Sequence, residues 1–326
     1  MVSNRKNTRK TAARARRPLT PKHREQVAAV FPGLGALRGQ RAPSTLREYF
    51  RDAVLYLHYC TWDAGQAQDP AILRAWRQQM VTATTLSPYT INRRVCTIKA
   101  LLKASAISGE VSSILVADFA LVERVQVGPL RDRMRPHARV RISPEQMRDL
   151  CRAPDPTTLM GLRDRALLLT LASSGCRISE MASLRQEQIR ATGPHWQLEI
   201  WGKNQSAPRL APLSREAHDW INRWLQARGR FLSSPWIFTA VNWYFNPEDR
   251  PLTPNGLWQI VKRAARKAGL DNVKPHDFRR YVATQVAERY GLRAAQRVLG
   301  HAVLMTTEKH YILDGELPGG MTEDLF

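Results

Sequence analysis

Acidic residues are scarce in this chain. Against 50 Lys and Arg stand 28 Asp and Glu, leaving a formal net charge of +22 over 326 residues. Such an excess points to a polyanionic partner, nucleic acid before an anionic membrane. Long apolar runs are missing too. No stretch reaches the roughly 18 apolar residues that a bilayer span requires, so no membrane-spanning helix is expected. The opening MVSNRKNTRKTAARARR has no apolar centre, so we expect no secretion leader, although a transit peptide shares its Arg-rich, acid-poor character. Cysteines number four, and Cys60, Cys96, Cys151 and Cys176 show no paired ligand spacing. That excludes a disulfide scaffold and a zinc module and predicts reduced core thiols. Clustered carboxylates able to hold two metal ions are also lacking, so neither metal nor cofactor is expected.

What remains is ordinary globular composition, 43% hydrophobic and 24% charged, long enough for two domains with separate cores. Residues 1–42 are basic and broken by Pro18, Pro21, Pro32, Gly33, Gly35 and Gly39. They predict a flexible arm whose Arg5, Lys6, Arg9, Lys10, Arg14, Arg16 and Arg17 lie along phosphates. GLGALRG at 33–39 imitates a dinucleotide loop, but its spacing is wrong and no strand precedes it. From Pro43 to about residue 125 the pattern is helical. Thr45 and Glu48 predict a capping box, and further helices open at Asp69-Pro70, Ser87-Pro88 and in SSILVADFALVERV. On the third helix Arg93, Arg94, Lys99 and Lys103 lie off the apolar stripe, a candidate DNA-binding face whose bland alternative is a solvated surface.

Residues 126–142 hold Gly128, Pro129 and Pro136 among several arginines and predict a basic linker. A second domain over 143–326 opens at Ser143-Pro144-Glu145. It continues through a buried helix, GLRDRALLLTLASSG, to a new helix near Ser179. HWQLEIWG and RLAPLS predict an antiparallel hairpin, and three helices and LRAAQRVLGHAVLMTTEKHYIL follow.

Within that domain His276 and Arg279 sit one helical turn apart behind Lys274-Pro275, so they share a helix face. An imidazole beside a guanidinium suits a phosphate that must be gripped and relieved of a proton. The alternative is a solvated ion-pair helix in which Asp277 or Glu288 partners the arginines. Arg177 in SSGCRISE, Lys203 in WGKNQ, His301 after Leu299-Gly300, and Tyr311 are each weak signals alone.

In this order, GCRISE, WGKN, HDFR, VLGH and TTEKHY resemble the signature of the tyrosine recombinase (phage integrase) family. The resemblance covers roughly residues 43–315. It implies an all-α core-binding (SAM-like) domain and a mainly α catalytic domain with a small antiparallel sheet, the α+β DNA breaking-rejoining fold. It also implies catalytic roles for Arg177, Lys203, His276, Arg279, His301 and Tyr311, with Glu180 buttressing Arg177. One departure stands out: Tyr311 lies ten residues after His301, one more than in many members. The implied activity is metal-independent site-specific DNA recombination through a 3′-phosphotyrosyl intermediate and a Holliday junction. The implied assembly is a free monomer that becomes a homotetramer on synapsed double-stranded DNA, cytoplasmic and nucleoid-associated. The tail ILDGELPGGMTEDLF has the character of an apolar peg on a Pro-Gly-Gly hinge. A type IB topoisomerase, which uses a similar residue set, and a non-enzymatic DNA-binding protein remain open at this point.

Overall fold

The computed structural model describes residues 20–133, 141–202 and 207–300. The chain forms two compact units that divide at residue 137, within the 126–142 stretch expected to be a linker. The part of that stretch that is described includes a short 3-10 helix, Gly128–Arg133.

The first unit is helical. Its elements are α1 (Pro21–Val30), α2 (Gly33–Ala36), α3 (Pro43–Tyr59), α4 (Ala64–Ala67), α5 (Pro70–Ala83), α6 (Pro88–Ile107) and α7 (Ser113–Ala120). Proline opens four of them, α1, α3, α5 and α6, where its missing N–H costs nothing and its fixed φ favours the first turn. Asp69 and Ser87 cap α5 and α6 by accepting from the N–H groups of Ala71 and Thr90, at 2.7 and 3.3 Å. Around α6, Ile91, Val95, Ile98, Leu101 and Leu102 are buried together with Tyr56, Leu57, Leu73 and Phe119.

Two expectations are corrected here. From Pro21 onward the supposed arm is folded: Val27, Val30, Phe31 and Leu37 belong to this core. The i, i+3, i+4 spacing of Val27, Val30 and Phe31 is a helical stripe that the surrounding prolines and glycines disguise. Residues 1–19, with the arm's listed basic residues, lie outside the described residues. GLGALRG is a helical turn pressed on α6. The Gly33 N–H donates to Ser105 Oγ at 3.0 Å, and a Cβ at Gly33 would fall 2.1 Å from the Ser105 nitrogen. The capping box at Thr45 and Glu48 also fails, because Pro43 starts the helix earlier, after Ala42. Thr45 is inside the first turn and Glu48 pairs with Arg51.

The second unit contains α8 (Pro144–Arg152), α9 (Leu159–Ser174), α10 (Ile178–Ala182), β1 (Ile189–Thr192), β2 (His195–Ile200), β3 (Arg209–Leu213), α11 (Arg215–Gly229), β4 (Thr239–Val241), β5 (Pro247–Pro251), α12 (Pro254–Lys267), α13 (Pro275–Tyr290) and α14 (Leu292–Leu299). Its central helix α9 packs on α8, α11 and α13, while α14 packs on α13 and β3. The hairpin expected from 195–202 and 209–214 is present, with Leu198 opposite Ala211 and Ile200 opposite Arg209. β1 adds a third antiparallel strand, and β4 pairs with β5. Neither was expected: β1 reads IRAT with Ile189 its one large apolar residue, and β5 reads PEDRP. Leu198 and Ile200 on β2 and Ala211 and Leu213 on β3 point into the core, as the two-residue period of a strand requires.

Candidate active site

The turn that joins α9 to α10 depends on Gly175. It ends α9 in the left-handed region (φ 59°), and a Cβ there would meet the side chains of Val282 and Leu299 at 3.2 Å. Glycine alone satisfies both the backbone and the close approach. Arg177 follows two residues later and opens α10. Its backbone N–H donates to Glu180 Oε2 at 2.9 Å, and its Nη1 donates to Oε1 at 2.7 Å.

Glu180 is buried, and it holds a second guanidinium. Arg209 Nη2 donates to Oε2 at 2.8 Å, while Arg209 Nη1 donates to the Val298 carbonyl at 2.7 Å. Burial alone would raise the Glu180 carboxyl. The charge of Arg209 and the hydrogen bonds from Arg177 outweigh it and hold the group below its ordinary value. The trio therefore stays ionised with a net charge of about +1, as two permanent cations around one carboxylate must. Arg177, its side chain 36% exposed against 7% for Arg209, is the arm that solvent and solutes reach.

Arg279 lies on α13 and is wholly buried. Its Nη1 donates to the Gly175 carbonyl at 2.7 Å and its Nη2 to the Leu299 carbonyl at 2.5 Å. This one side chain thus ties the turn before Arg177 to the end of α14. Asp277 pairs with Arg280 at 3.0 Å and Glu288 with Arg141 at 3.1 Å, so the solvated ion-pair alternative describes those neighbours and not Arg279. His276, at the start of α13, is exposed. Desolvation on its protein side, then the cationic Arg280 and Arg279 and more weakly Arg177, push its imidazole down to about 4 against the opposing pull of Asp277. It is neutral at physiological pH, able to accept a proton or share a hydrogen bond.

The structure thus brings Arg177, Glu180, Arg279 and His276 together. Lys203, His301 and Tyr311 lie outside the described residues. Arg209 escaped the sequence reading, though a signal was available. In RLAPL the inward phase is Arg209, Ala211, Leu213, so a charged residue occupied a core position and required a partner.

The predicted DNA-binding face of the first unit is partly consumed internally. Arg93 forks onto the buried carboxylate of Asp52, its Nη2 lying 3.1 Å from Oδ1, and Arg94 approaches the same group at 3.9 Å. Lys99 donates to the carbonyls of Ala120 and Val122. Lys103 is exposed. All four cysteines carry free thiols. Among the described residues no group of three His, Cys, Asp or Glu is placed to hold a metal ion, and no helix is long and apolar enough to cross a membrane.

A buried carboxylate that positions two arginines, with a neutral histidine within reach of their charge, gives this mostly helical unit with a small sheet a fixed positive centre. Comparison with known proteins gives the family. Residues 140–315 match the phage integrase family, and the chain belongs to it. Tyrosine recombinase XerD of Xanthomonas campestris pv. campestris is 35% identical over 181 residues, covering 51% of this chain and 53% of that protein. XerD of Lacticaseibacillus casei is 28% identical over 226 residues, covering 69% and 72%. The chain thus spans about half the length of the first curated relatives it matches. Among solved structures, the Tn1549 transposon integrase in complex with transposon right end DNA aligns at TM-score 0.63 and 17% identity, covering 89% of this chain and 96% of that one. A lambda integrase tetramer bound to a Holliday junction aligns at 0.62 and 13%, covering 93% and 83%. These likenesses show the fold expected for the family.

Proposed function

We propose that the chain is a site-specific DNA recombinase that cuts and rejoins strands through a covalent phosphotyrosine, in the integration, excision or resolution of DNA elements. The observation that carries this is the Arg177–Glu180–Arg209 trio with neutral His276 nearby. A phosphodiester repels nucleophiles by its own charge, and a fixed positive centre offsets that charge as the transition state develops. Arg177 supplies the accessible guanidinium. Arg279 holds the turn that presents it and adds its charge from beneath.

By family resemblance the phenol oxygen of Tyr311 attacks phosphorus, and the bond from phosphorus to the 5′ oxygen breaks. The products are a 3′-phosphotyrosyl link and a 5′-hydroxyl. Lys203 gives its proton to the departing oxygen, His276 takes the phenol proton or holds a phosphate oxygen, and His301 hydrogen-bonds the phosphate. His276, neutral near pH 7, is in the state this role needs. A 5′-hydroxyl from the partner strand then reverses the step, so the bond energy is conserved and neither nucleotide nor cofactor is consumed. The basic first unit grips the duplex through Lys103, the exposed edge of Arg93 and the residues before 20. A homotetramer forms on paired sites, joined through the C-terminal tail.

The test is covalent capture. The chain is incubated with nicked duplexes made from its source genome, denatured, and the trapped peptide mapped by mass spectrometry. An adduct at Tyr311 supports the reading. An adduct elsewhere would overturn the assignment of Tyr311, and relaxation of supercoiled DNA lacking paired sites would replace the recombinase with the topoisomerase alternative. Binding without any adduct would leave only a DNA-binding protein.

A further inference from the structure

Arg209 is not among the side chains expected to touch DNA, yet it joins three parts of the site. It lies six residues after Lys203 in the chain, at the first position of β3, with its side chain turned inward. Nη2 reaches Glu180 Oε2, the oxygen that also accepts the Arg177 backbone N–H. Nη1 reaches the carbonyl of Val298, in the last turn of α14 and three residues before His301. No other described side chain bonds both Glu180 and the α14 terminus.

We infer that Arg209 is a positioning residue for phosphoryl transfer, setting both the place and the effective charge of Arg177 through Glu180; the inference rests on the recombinase reading above. The reasoning is electrostatic. With Arg209 present, Glu180 is shared between two cations and the trio keeps one net positive charge. Without it, Glu180 neutralises Arg177 outright, and the accessible guanidinium meets an anionic phosphate with no surplus charge of its own, leaving only the charge that Arg279 adds from beneath and that of Lys203. The low-dielectric surroundings magnify that difference, since water cannot reach the Glu180–Arg209 contact to screen it. The anchored α14 terminus would loosen at the same time.

A charge-setting role makes a demand that a merely structural one does not: its loss must depend on the charge of the substrate. The experiment uses a nicked duplex taken from the covalent-capture products, synthesised either with its natural scissile phosphate or with one neutral methylphosphonate there. Covalent-complex formation is timed for the unaltered chain, Arg209→Gln and Arg209→Lys, with thermal melts of each. Removing an outer partner of a reactive group costs on the order of 10–100-fold in activity in the well-studied metal sites. We expect a loss of that size for Arg209→Gln on the phosphodiester, shrinking to less than about threefold on the methylphosphonate. Arg209→Lys, which keeps the charge but loses the fork, should recover most of the phosphodiester rate. Equal losses on both substrates, or a lysine variant no better than glutamine, overturn the inference and leave Arg209 a packing residue. Should Arg209→Gln fail to fold, the lysine variant decides: near-normal rates on both substrates support charge-setting, and an equal large loss on both refutes it. If the unaltered chain forms no adduct with either duplex, the recombinase reading falls, and this inference with it.

Discussion

Replacing Glu180 with glutamine tests the centre of the site with the smallest change of shape. The amide keeps the volume and one acceptor oxygen but loses the charge, and it turns an N–H₂ toward one of two guanidiniums. Arg209 is the more exposed to the consequence in energy, because its side chain is only 7% accessible and has no water to replace the carboxylate. Breaking a buried pair by removing one partner costs about 3–5 kcal/mol. Arg177 rehydrates readily at 36% side-chain exposure, so its share is discounted for solvent screening and the lower figure, about 3 kcal/mol, is the expectation. In a unit of this size each kcal/mol moves Tm by roughly 2–4 °C, giving a drop of about 6–12 °C. The same carboxyl has its folded pKa depressed below its unfolded value. Its stabilisation is therefore present above the ordinary glutamate range near 4.3 and is lost as pH falls through the lower folded value. Calorimetry of both chains from pH 7 downward should find the gap in Tm widest at neutral pH and closing below about pH 4. A gap under about 2 °C at pH 7, or one that does not narrow in acid, would refute the account of Glu180 as a charged clamp.

Three further expectations follow from individual contacts. His276, held down to about 4, contributes stability that is complete above about pH 6.5 and lost as pH falls toward 4; an NMR titration of its ring showing a midpoint near 6.5 would contradict this. Gly33→Ala forces a Cβ to within 2.1 Å of the α6 backbone, so the first unit should lose at least about 2 kcal/mol in denaturant unfolding, and an unchanged midpoint would show that α1 and α2 are not seated on α6. Lys103→Ala should reduce the slope of log affinity against log salt by about 0.9 with little change in Tm, whereas Arg93→Ala, which strips a partner from buried Asp52, should lower Tm first; the reverse pattern would reassign the DNA face.

Which parts of the molecule were legible in the sequence follows from how local their causes are. Helix starts at Asp69-Pro70, Ser87-Pro88 and Ser143-Pro144 are written in consecutive residues, and the structure has helices there. The β2–β3 hairpin carries its own alternation. The folded segment from Pro21 was hidden because its stabilisation is not local: Gly33 is tolerated in a helical turn because Ser105, 72 residues away, receives it. β1 is a short, mostly exposed strand that forms because β2 offers it a partner. At the site, the spacing of His276 and Arg279 indicated a shared face but not that one would be exposed and the other wholly enclosed. That difference is set by Gly175 and Leu299, whose carbonyls come from distant parts of the chain to meet Arg279.

The scarcity of acid with which the sequence announces itself has a structural counterpart. Asp52 lies between Arg93 and Arg94, Asp164 between Arg163 and Arg263, and Glu180 between Arg177 and Arg209. Each carboxylate is buried, and each is shared by two arginines. A one-to-one buried pair would be neutral and, against desolvation, of little net worth. A shared carboxylate instead fixes two guanidiniums with defined geometry and leaves one positive charge over. For the DNA recombinase proposed above, this arrangement would use few acids to make cations rigid without cancelling them. It also separates two meanings of arginine that composition merges. The fully enclosed guanidiniums of Arg163, Arg209 and Arg279 add structure and field, while the half-exposed Arg93, Arg177 and Arg263 are the arms through which that field is delivered. At Glu180 the delivered arm is close enough for its charge to act on the neutral imidazole of His276, and on the proposed function this is where the arrangement would pass from binding an anion to acting on one.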